Sequence, residues 1–564
     1  MAYVIDQEHC SCCHQCKAVC PAGAVRFKGA KYWIDPEKCV ECGLCAQNCH
    51  NCIITKEGEQ PQSPAPHAPI ELDCDVAVCG GGGSGLIAAV WLAQQGRKVV
   101  LLEKNGQLGG NTWYAGGFRT YYSRLLREAG EPDTRDQQIR ELLIETRWQQ
   151  DPQLVYNVMQ ASEHFVDWLI DDCGCEEDFV MGTTPFGGKG LRFTNKTGRK
   201  FKRIDTSIGP GGMGSFVVGK LEAQCEKSGV QVLMRHEAKE LLKDDTGAIV
   251  GVRAYDGGGD VIVHARAVVL STGCFSYNPE YLEKATPGFF APGEPVHRFS
   301  VPTCTGDGIT MGMAAGADID WKNTKALMLG PAHHPFGFAG VCICREPEVV
   351  MFNTRGERWA NETENTMALR HLFLKQPDYI SWAVADQNIL DTLAGRLVAQ
   401  GRDGADGVKI IAAYQEEADA EALLDTPVKK ADTLEELAEK MGVPVEEFLA
   451  QTAHYNEMCH AGRDADFFKD PKYMIPLEQG PYYAFFEKRF QENAAGGMKI
   501  DSFTRVLDTQ GAVIPGLYAT GDNARGILIG GDVGTDYVER IISALTWCVC
   551  SGYLAAETVQ ADLG

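Results

Sequence analysis

The sequence is short of positive charge. Among its 564 residues, 53 are lysine or arginine and 76 are aspartate or glutamate, which gives a formal net charge of −23. A surface of this sign repels polyanions, so binding to nucleic acid or to an anionic membrane is disfavoured. The first residues contain neither a basic segment nor a continuous apolar run, so they do not have the pattern of a secretory signal. We therefore expect a cytoplasmic protein.

Long uncharged apolar stretches are also scarce. The longest, Ile541 to Ala556, is shorter than the roughly 20 residues of a membrane span and contains serine, glycine and threonine. We expect it to form a core helix and expect no membrane span. Because 564 residues of which 44% are apolar exceed what one core accommodates, the chain predicts about three or four domains.

Cysteine, in contrast, is abundant: there are 22, and they concentrate at the start of the chain. Two runs with the spacing C-x2-C-x2-C-x3-C begin at Cys10 and Cys39. Three thiolates at this spacing wrap one iron–sulfur cluster, and the fourth reaches the other cluster. The stretch resembles bacterial two-cluster ferredoxins over its whole length. The predicted ligands of the two [4Fe–4S] clusters are Cys10, Cys13, Cys16 and Cys49 for one and Cys39, Cys42, Cys45 and Cys20 for the other.

Three residues near these runs depart from the ferredoxin pattern. His50 stands where the second run would carry proline, which affects the local turn more than ligation. Cys12 and Cys52 are extra, and we expect small buried side chains there rather than ligands. Zinc is disfavoured, because zinc sites rarely use four closely repeated thiolates twice. Residues 57–70 are polar and rich in proline and are expected to form an extended linker.

A glycine-rich turn between a strand and a helix is the centre of the remaining chain. Val76 to Cys79 predicts a buried strand, and Leu86 to Gln95 predicts a helix. Gly80, Gly82 and Gly85 occupy the positions of a G-x-G-x-x-G motif. They respectively allow a tight turn, the approach of backbone to a pyrophosphate, and close packing of helix on strand. The positive end of the helix then faces the phosphates.

The next strand, Lys98 to Leu102, ends at Glu103. That carboxylate lies about 20 residues beyond the glycines, where a partner for a ribose hydroxyl is expected. From the glycines alone, FAD and NAD are equal candidates. A second glycine-rich patch at residues 109–117 and the late pair Gly521-Asp522 favour FAD, since a simple nicotinamide dehydrogenase requires neither.

Several strings make the resemblance specific. The residues from Glu103 to Thr112, followed by Ala115-Gly116-Gly117, resemble the FAD-binding subunits of fumarate reductases and succinate dehydrogenases. This family includes 3-ketosteroid dehydrogenases and flavin ene-reductases. The strand Val268 to Gly273, the helix opened by Thr305 to Gly308, and the strand and turn Ile514 to Asp522 extend the match. The resulting cofactor-binding residues are Gly80, Gly82, Ser84, Gly85, Glu103, Lys104, Gly109, Gly110, Asn111, Thr112, Gly116, Gly117, Thr272, Gly273, Gly521 and Asp522.

The fold class that follows is α/β, with a Rossmann-like FAD-binding domain, an inserted α+β capping domain and a small α+β two-[4Fe–4S] ferredoxin-like domain. The string Met351 to Glu362 resembles the hairpin that leads into the family's cap, and Leu434 to Tyr455 is expected to be helical. The predicted divisions are 1–60 for the ferredoxin-like domain, 61–72 for a linker, 73–325 and 481–564 for the FAD-binding domain, and 326–480 for the cap.

The resemblance stops at the substrate site. Fumarate reductases carry an arginine a few residues after the Asn-Glu pair, whereas the nearest basic residue here is Arg370. The loop from Ala524 to Asp532 also lacks the histidine and the Asn-Arg pair that hold substrate carboxylates. We therefore expect a less charged substrate, such as an enone, a steroid-like ring or an aryl acrylate. Arg525 and Tyr537 are the candidate proton donors, and His333-His334 is a further option.

The sequence thus predicts an anaerobic FAD- and iron–sulfur-dependent reductase of an activated C=C bond. A one-electron donor such as ferredoxin or another redox protein supplies its electrons. Three alternatives stay open. They are the reverse reaction, an α,β-dehydrogenase; an electron-transfer flavoprotein subunit; and a disulfide or sulfur reductase, which needs a thiol pair beside the flavin. The oligomeric state is also open, a homo-oligomer included.

Overall fold

The structure is a computed structural model of the chain. It describes residues 2–7, 9–10, 15–28, 31–58, 65–115, 122–128, 130, 132–174, 179–183, 189–193, 213–285, 287, 297–298, 300–321, 325–327, 343, 346–364, 369, 372–373, 375–399, 408, 411–412, 415, 418, 428–488, 490–491, 493–527 and 544–564.

The N-terminal residues form a small α+β unit. The antiparallel pair Tyr3–Ile5 and Ile54–Lys56 joins the start of the unit to its end. A hairpin, Val25–Lys28 with Lys31–Ile34, lies between them. The described helices of this unit are short, Gln15–Val19 and Leu44–Gln47. Its core is small, so cysteines make up a large share of the buried side chains.

A six-stranded sheet forms the centre of the large domain. In spatial order its strands are Gln231–Met234, Val99–Glu103, Val76–Cys79, Ala267–Leu270, Val513–Ala519 and Arg505–Leu507. The first five are parallel, and only the last is antiparallel. The central strands are buried along their whole length, as expected for a parallel sheet covered on both faces. Strands from the two ends of the chain thus meet in one sheet, as the α/β prediction requires.

Two buried helices pack together over this sheet. The predicted helix after the glycine turn spans Gly83–Gln94 and ends before Gly96, whose φ of 87° only glycine adopts without strain. Against it lies Ala544–Leu563, which confirms the core helix expected from the late apolar stretch. A Cβ on Gly552 would lie 2.4 Å from the Ser84 carbonyl oxygen, so the two backbones touch. Among the described residues, none of the helices has the length and hydropathy needed to cross a membrane.

A second sheet extends the domain. Its order is Glu237–Lys243, Ile249–Tyr255, Asp260–His264 and Ile70–Asp73. The last strand begins inside the predicted linker, because Ile70 to Asp73 pair in parallel with Val261 to His264. The remaining pairs are Phe179–Thr183 with Lys189–Phe193, His297–Arg298 with Phe490–Gln491, and Lys325–Leu327 with Asn493–Ala495. The remaining α-helices before the cap are Arg124–Glu128, Arg135–Glu145, Pro152–Asp171, Met213–Ser228, Pro279–Ala285 and Asp307–Ala315.

The cap has its own sheet and core. Its antiparallel strands are, in order, Val350–Asn353, Ile380–Asp386, Tyr482–Lys488 and Val428–Ala431, and the α-helices found in its described residues include Gln387–Ala399, Leu434–Met441 and Val445–Ala461. The cap sheet reaches Lys488 rather than ending at 480, because the strand from Tyr482 pairs with Ile380–Asp386. The single helix expected from Leu434 is two helices, since Gly442 at φ 71° ends the first and Pro444 caps the second.

A buried network of charges fixes the cap. Arg358 Nη2 lies 2.9 Å from Glu362 Oε2 and 2.8 Å from Asp464 Oδ2, and all three side chains are buried. Lys469 Nζ lies 3.2 Å from Glu362 and donates to the Val349 carbonyl. Burial alone would raise the pKa of Asp464, but the hydrogen bond and charge of Arg358, together with the N–H groups of Phe467 and Lys469, outweigh it and lower that pKa to about 2. The network ties the hairpin to a loop more than a hundred residues later.

Removing the central cation should unfold the cap more easily. Arg358→Met leaves the buried Asp464 carboxylate without its cation and Glu362 with Lys469 as its remaining cation, which costs about 3–5 kcal/mol of unfolding free energy. Urea titration of purified protein measures the loss. Arg355→Met is the matched control, because the Arg355 side chain is 67% exposed and should change stability by less than about 0.5 kcal/mol. Equal losses in the two variants would contradict the assignment.

Candidate functional site

The glycine turn combines two crowded positions and one open position. Gly80 has φ 106°, and a Cβ there would lie 2.3 Å from the Ser271 carbonyl oxygen. A Cβ on Gly85 would lie 1.9 Å from the Gly80 carbonyl oxygen. A Cβ on Gly82, in contrast, would meet no atom within 4 Å. The protein itself therefore requires Gly80 and Gly85, whereas Gly82 borders a space at the helix N-terminus of the kind a pyrophosphate occupies.

Glu103 is held beside this turn. Its Oε2 accepts from the Gly81 N–H at 2.7 Å, and its Oε1 accepts from the Asn105 N–H at 2.6 Å. Burial raises the pKa of this carboxyl, although the two N–H groups oppose the shift. A carboxylate has lone pairs beyond those two bonds, so the position fits the predicted ribose partner.

The second glycine patch lies against the first. The Gly109 N–H donates to the Gly81 carbonyl at 2.8 Å, and Thr112 Oγ1 accepts from the Gly83 N–H at 3.1 Å. Asn111 Oδ1 accepts from the Val301 N–H at 2.8 Å. The short 3₁₀ helix Gly110–Tyr114 thus lines the turn. Gly116 and Gly117 lie outside the described residues.

The late residues close the same site. Thr272 and Gly273 follow the end of the strand Ala267–Leu270, and Gly521 with Asp522 begins a 3₁₀ turn after the next parallel strand. Gly521 adopts φ 55°, and a Cβ on it would lie 3.1 Å from Ser84 Oγ. The first and last segments of the large domain therefore converge on Ser84.

Asn523 joins these strand ends and escaped the sequence analysis. Its Oδ1 accepts from the Thr272 N–H at 2.6 Å, and its Nδ2 donates to the Gly273 carbonyl at 2.7 Å. The side chain is fully buried. Its position directly after the predicted pair Gly521-Asp522 was the feature of the sequence that could have identified it.

Lys104 makes contacts within the protein. Its Nζ donates to Thr305 Oγ1 at 2.8 Å and lies 3.0 Å from both Asp307 and Glu237. Burial lowers its pKa, but Asp307 and Glu237 together outweigh that effect and the pKa is raised. Lys104 thus ties the second strand to the N-terminus of the helix Asp307–Ala315, which confirms the helix predicted there.

The predicted cluster ligands gather in two places. One small pocket of the N-terminal unit is lined by four cysteines, Cys20, Cys39, Cys42 and Cys45. Burial raises the pKa of Cys49 to about 11, and the nearby thiols of Cys52 and Cys10 contribute. Cys10, Cys16 and Cys49 are buried, and Cys13 lies outside the described residues. The first grouping contains the four cysteines of one predicted ligand set, and the assignment of both ligand sets stays a prediction.

Across the described part of the chain, no three His, Cys, Asp or Glu side chains are close enough to hold a single metal ion. A four-iron cubane separates its thiolates more widely than a mononuclear ion does. The pocket lined by four thiols offers the number of ligands that a [4Fe–4S] cluster takes, and the clusters stay a prediction.

Of the candidate catalytic residues, the structure describes Arg525 alone. Arg525 Nε lies 2.8 Å from Asp320 Oδ2, and its Nη2 donates to the Gln149 carbonyl at 3.0 Å. The ion pair gives this guanidinium a partner inside the protein. Tyr537, His333, His334 and Arg370 lie outside the described residues.

Two thiols bear on the sulfur-reductase alternative. Cys274 and Cys304 are both buried. Cys274 directly follows one segment of the cofactor site, and Cys304 directly precedes another. The hydrogen bond to Cys274, together with burial, raises the pKa of Cys304 well above its usual value. A raised pKa makes a thiol a poorer nucleophile, so Cys304 does not support that alternative.

Comparisons with known proteins agree with this geometry. A family model described as FAD binding domain matches residues 75–532. The vinyl phenol reductase of Lactiplantibacillus plantarum is 29% identical over 80% of this chain and 90% of its own length. The urocanate reductase of Eggerthella lenta is 27% identical over 83% of this chain and 73% of its own.

A solved structure shows the same fold. The open conformation of a flavocytochrome c3 fumarate reductase superposes with a TM-score of 0.66 at 21% identity, covering 86% of this chain and 79% of that one. The family model supports the FAD-binding expectation for residues 75–532, and the superposition shows the fold.

Two glycine substitutions should separate folding from cofactor binding. Gly85→Ala places a methyl group against the Gly80 carbonyl and should cost at least about 1–3 kcal/mol of stability. Gly82→Ala meets open space, so cofactor-free protein should keep its stability but lose FAD, because the methyl group occupies the room left for the pyrophosphate. Urea unfolding and the FAD absorbance per chain measure the two effects. Full FAD occupancy in the Gly82→Ala variant would contradict the assignment.

Proposed function

Because the chain belongs to the FAD binding domain family and is an FAD-dependent oxidoreductase acting on C=C groups, we propose that it reduces an activated alkene with electrons that enter through two [4Fe–4S] clusters. The observation that carries the proposal is the pairing of two sites in one chain. A glycine-lined cradle beside Glu103 lies in the large domain, and a pocket lined by four thiols lies in the N-terminal unit.

The bound cofactors and the residues around them have separate roles in the proposed reaction. When bound, the flavin supplies hydride transfer and the clusters supply single electrons. Gly82 and the first turn of the helix Gly83–Gln94 admit the pyrophosphate, and Glu103 orients the ribose. The alkene gains two electrons and two protons in all, as one hydride and one proton. The cap, held by Arg358, excludes water from this transfer.

The second proton needs a positioned acid. Arg525 is engaged by Asp320 and by the Gln149 carbonyl, and an arginine stays charged in proteins. This pairing favours a positioning role for Arg525 at the entrance of the loop that follows. Tyr537, on the same loop of the sequence, is then the proposed acid.

The substrate class follows from charge. The relatives are named for vinyl phenol and urocanate, and an oxidoreductase of Vibrio harveyi, of whose length this chain spans about half, is named for acrylate. The loop from Ala524 to Asp532 lacks the histidine and the Asn-Arg pair expected of a dicarboxylate clamp. We therefore assign an alkene with one carboxylate or none, conjugated to a carbonyl or an aromatic ring.

Two alternative functions of the same residues can be distinguished from the proposed reductase. Run in reverse, the residues would serve an α,β-dehydrogenase. Without a substrate of its own, the chain would pass electrons to a partner protein. The cap carries a complete sheet and a buried ionic network, which is more structure than an electron relay needs and favours the enzyme.

Iron content should follow the cysteines. Anaerobically purified protein should contain roughly eight iron atoms per chain, as two four-iron clusters require. Cys45→Ser and Cys49→Ser should each remove about half of that iron, because each cysteine belongs to a different ligand set. Cys52→Ser is the control, since it lies beside Cys49 but is not a predicted ligand. Iron-free wild-type protein after anaerobic reconstitution would refute the cluster assignment.

Reoxidation of the flavin should identify the substrate class. Dithionite-reduced protein is mixed anaerobically with 4-vinylphenol, acrylate, urocanate or fumarate, and flavin absorbance is followed. We expect one of the first three to restore the oxidised spectrum at least about tenfold faster than fumarate, a difference of about 1.4 kcal/mol in barrier. Reoxidation only by a partner protein would favour the relay instead.

A further inference from the structure

The N-terminal unit meets the large domain through His50, which directly follows Cys49. The His50 ring stacks on Trp113 with centroids 4.7 Å apart and planes 10° apart, and it meets Tyr114 edge-on at 5.4 Å. His50 Nε2 lies 3.1 Å from the Gly110 carbonyl oxygen. A carbonyl oxygen can only accept, so Nε2 carries the proton and donates. The imidazole is 1% exposed and is therefore part of a closed contact.

Further contacts hold the backbone around this ring. Asn105 Nδ2 donates to the His50 carbonyl at 3.0 Å. The Tyr114 hydroxyl donates to Asn51 Oδ1 at 2.5 Å. A Cβ on Gly109 would lie 3.5 Å from His50 Cε1, so the ring reaches the segment that lines the cofactor cradle. A displacement of His50 would therefore also displace Gly109, whose N–H donates to the Gly81 carbonyl.

The same side of the N-terminal unit makes a second ring contact. His9, which directly precedes Cys10, stacks on Tyr277 with centroids 5.6 Å apart. The neighbours of Cys10 and of Cys49 therefore both rest on aromatic rings of the large domain. Of the other predicted ligand set only Cys45 is buried, whereas Cys42 is exposed, and Val40, which follows Cys39, is 63% exposed.

We propose that His50 and Trp113 are positioning residues that fix the Cys10–Cys49 cluster site as the electron exit towards the flavin. The site of Cys20, Cys39, Cys42 and Cys45 is then the entrance for the external one-electron donor. This assignment rests on the proposed function. The histidine replaces the proline of the ferredoxin pattern, and only the histidine provides both an N–H donor for Gly110 and a planar ring for Trp113.

The rate of electron transfer from the cluster sites to the flavin can be measured in a single protein sample. Protein with both cofactors is mixed anaerobically with reduced methyl viologen, and the bleaching of the clusters and of the flavin is followed at separate wavelengths. Iron-free protein gives the rate of direct flavin reduction, which is subtracted. His50→Ala and Trp113→Leu should leave cluster bleaching unchanged and slow flavin bleaching at least about tenfold, equivalent to about 1.4 kcal/mol.

Conservative and control variants separate positioning from damage. His50→Phe keeps the ring stack and should recover most of the wild-type rate, whereas a generally damaged fold would not recover. Trp33→Leu makes the same change as Trp113→Leu on a half-exposed residue of the hairpin and should leave both rates unchanged. The double variant of His50 and Trp113 should be no slower than either single variant, because the two rings share one contact.

The outcomes distinguish this inference from the function on which it rests. Variants that hold wild-type iron and FAD but reduce the flavin at the wild-type rate would overturn the positioning role and leave the proposed function standing. Wild-type protein without iron would overturn the proposed function itself. Slowed flavin bleaching at unchanged iron, FAD content and cluster reduction supports the exit at His50.

Discussion

Backbone-to-backbone packing at one turn is the constraint on which the rest of the structure depends. Gly80 lies against the end of the neighbouring strand, Gly85 lies against Gly80, and Gly552 of the last helix lies against Ser84. A side chain at any of these positions would collide with the neighbouring backbone and push the two elements apart. The central sheet, the two buried helices and the cofactor cradle therefore share one set of contacts, and the cradle is as rigid as the core.

The N-terminal unit is attached to this rigid centre and not merely tethered to it. Its stacked and hydrogen-bonded contacts fall on Asn105 and on Gly110–Tyr114, a segment that is itself bonded to Gly81 and Gly83. The strand Ile70–Asp73 anchors the end of the connection in the second sheet. Two fixed ends leave little freedom for the unit to rotate, so its orientation is part of the fold.

Local motifs were readable from the sequence because their physics is local. The strand, turn and helix around Gly80 and the helix from Asp307 were predicted from glycine spacing and apolar periodicity, and the structure confirms them. The extent of the cap was not readable, because Tyr482–Lys488 pairs with a strand about a hundred residues earlier. The ionic network was missed for the same reason: Arg358 and Asp464 look like surface residues until the fold joins them. Gly442 and Pro444 did signal a break between helices, and a continuous charged pattern concealed it.

The position of the last helix has a consequence for biogenesis. The cradle begins at residue 80, yet the strand Val513–Ala519 and the helix Ala544–Leu563 complete it. The segment around Ser84 therefore gains this packing partner only after residue 552 has been synthesised, because Gly552 lies against the Ser84 backbone. The strands Tyr3–Ile5 and Ile54–Lys56 of the N-terminal unit, in contrast, pair within the first 56 residues, so that pairing needs none of the later chain.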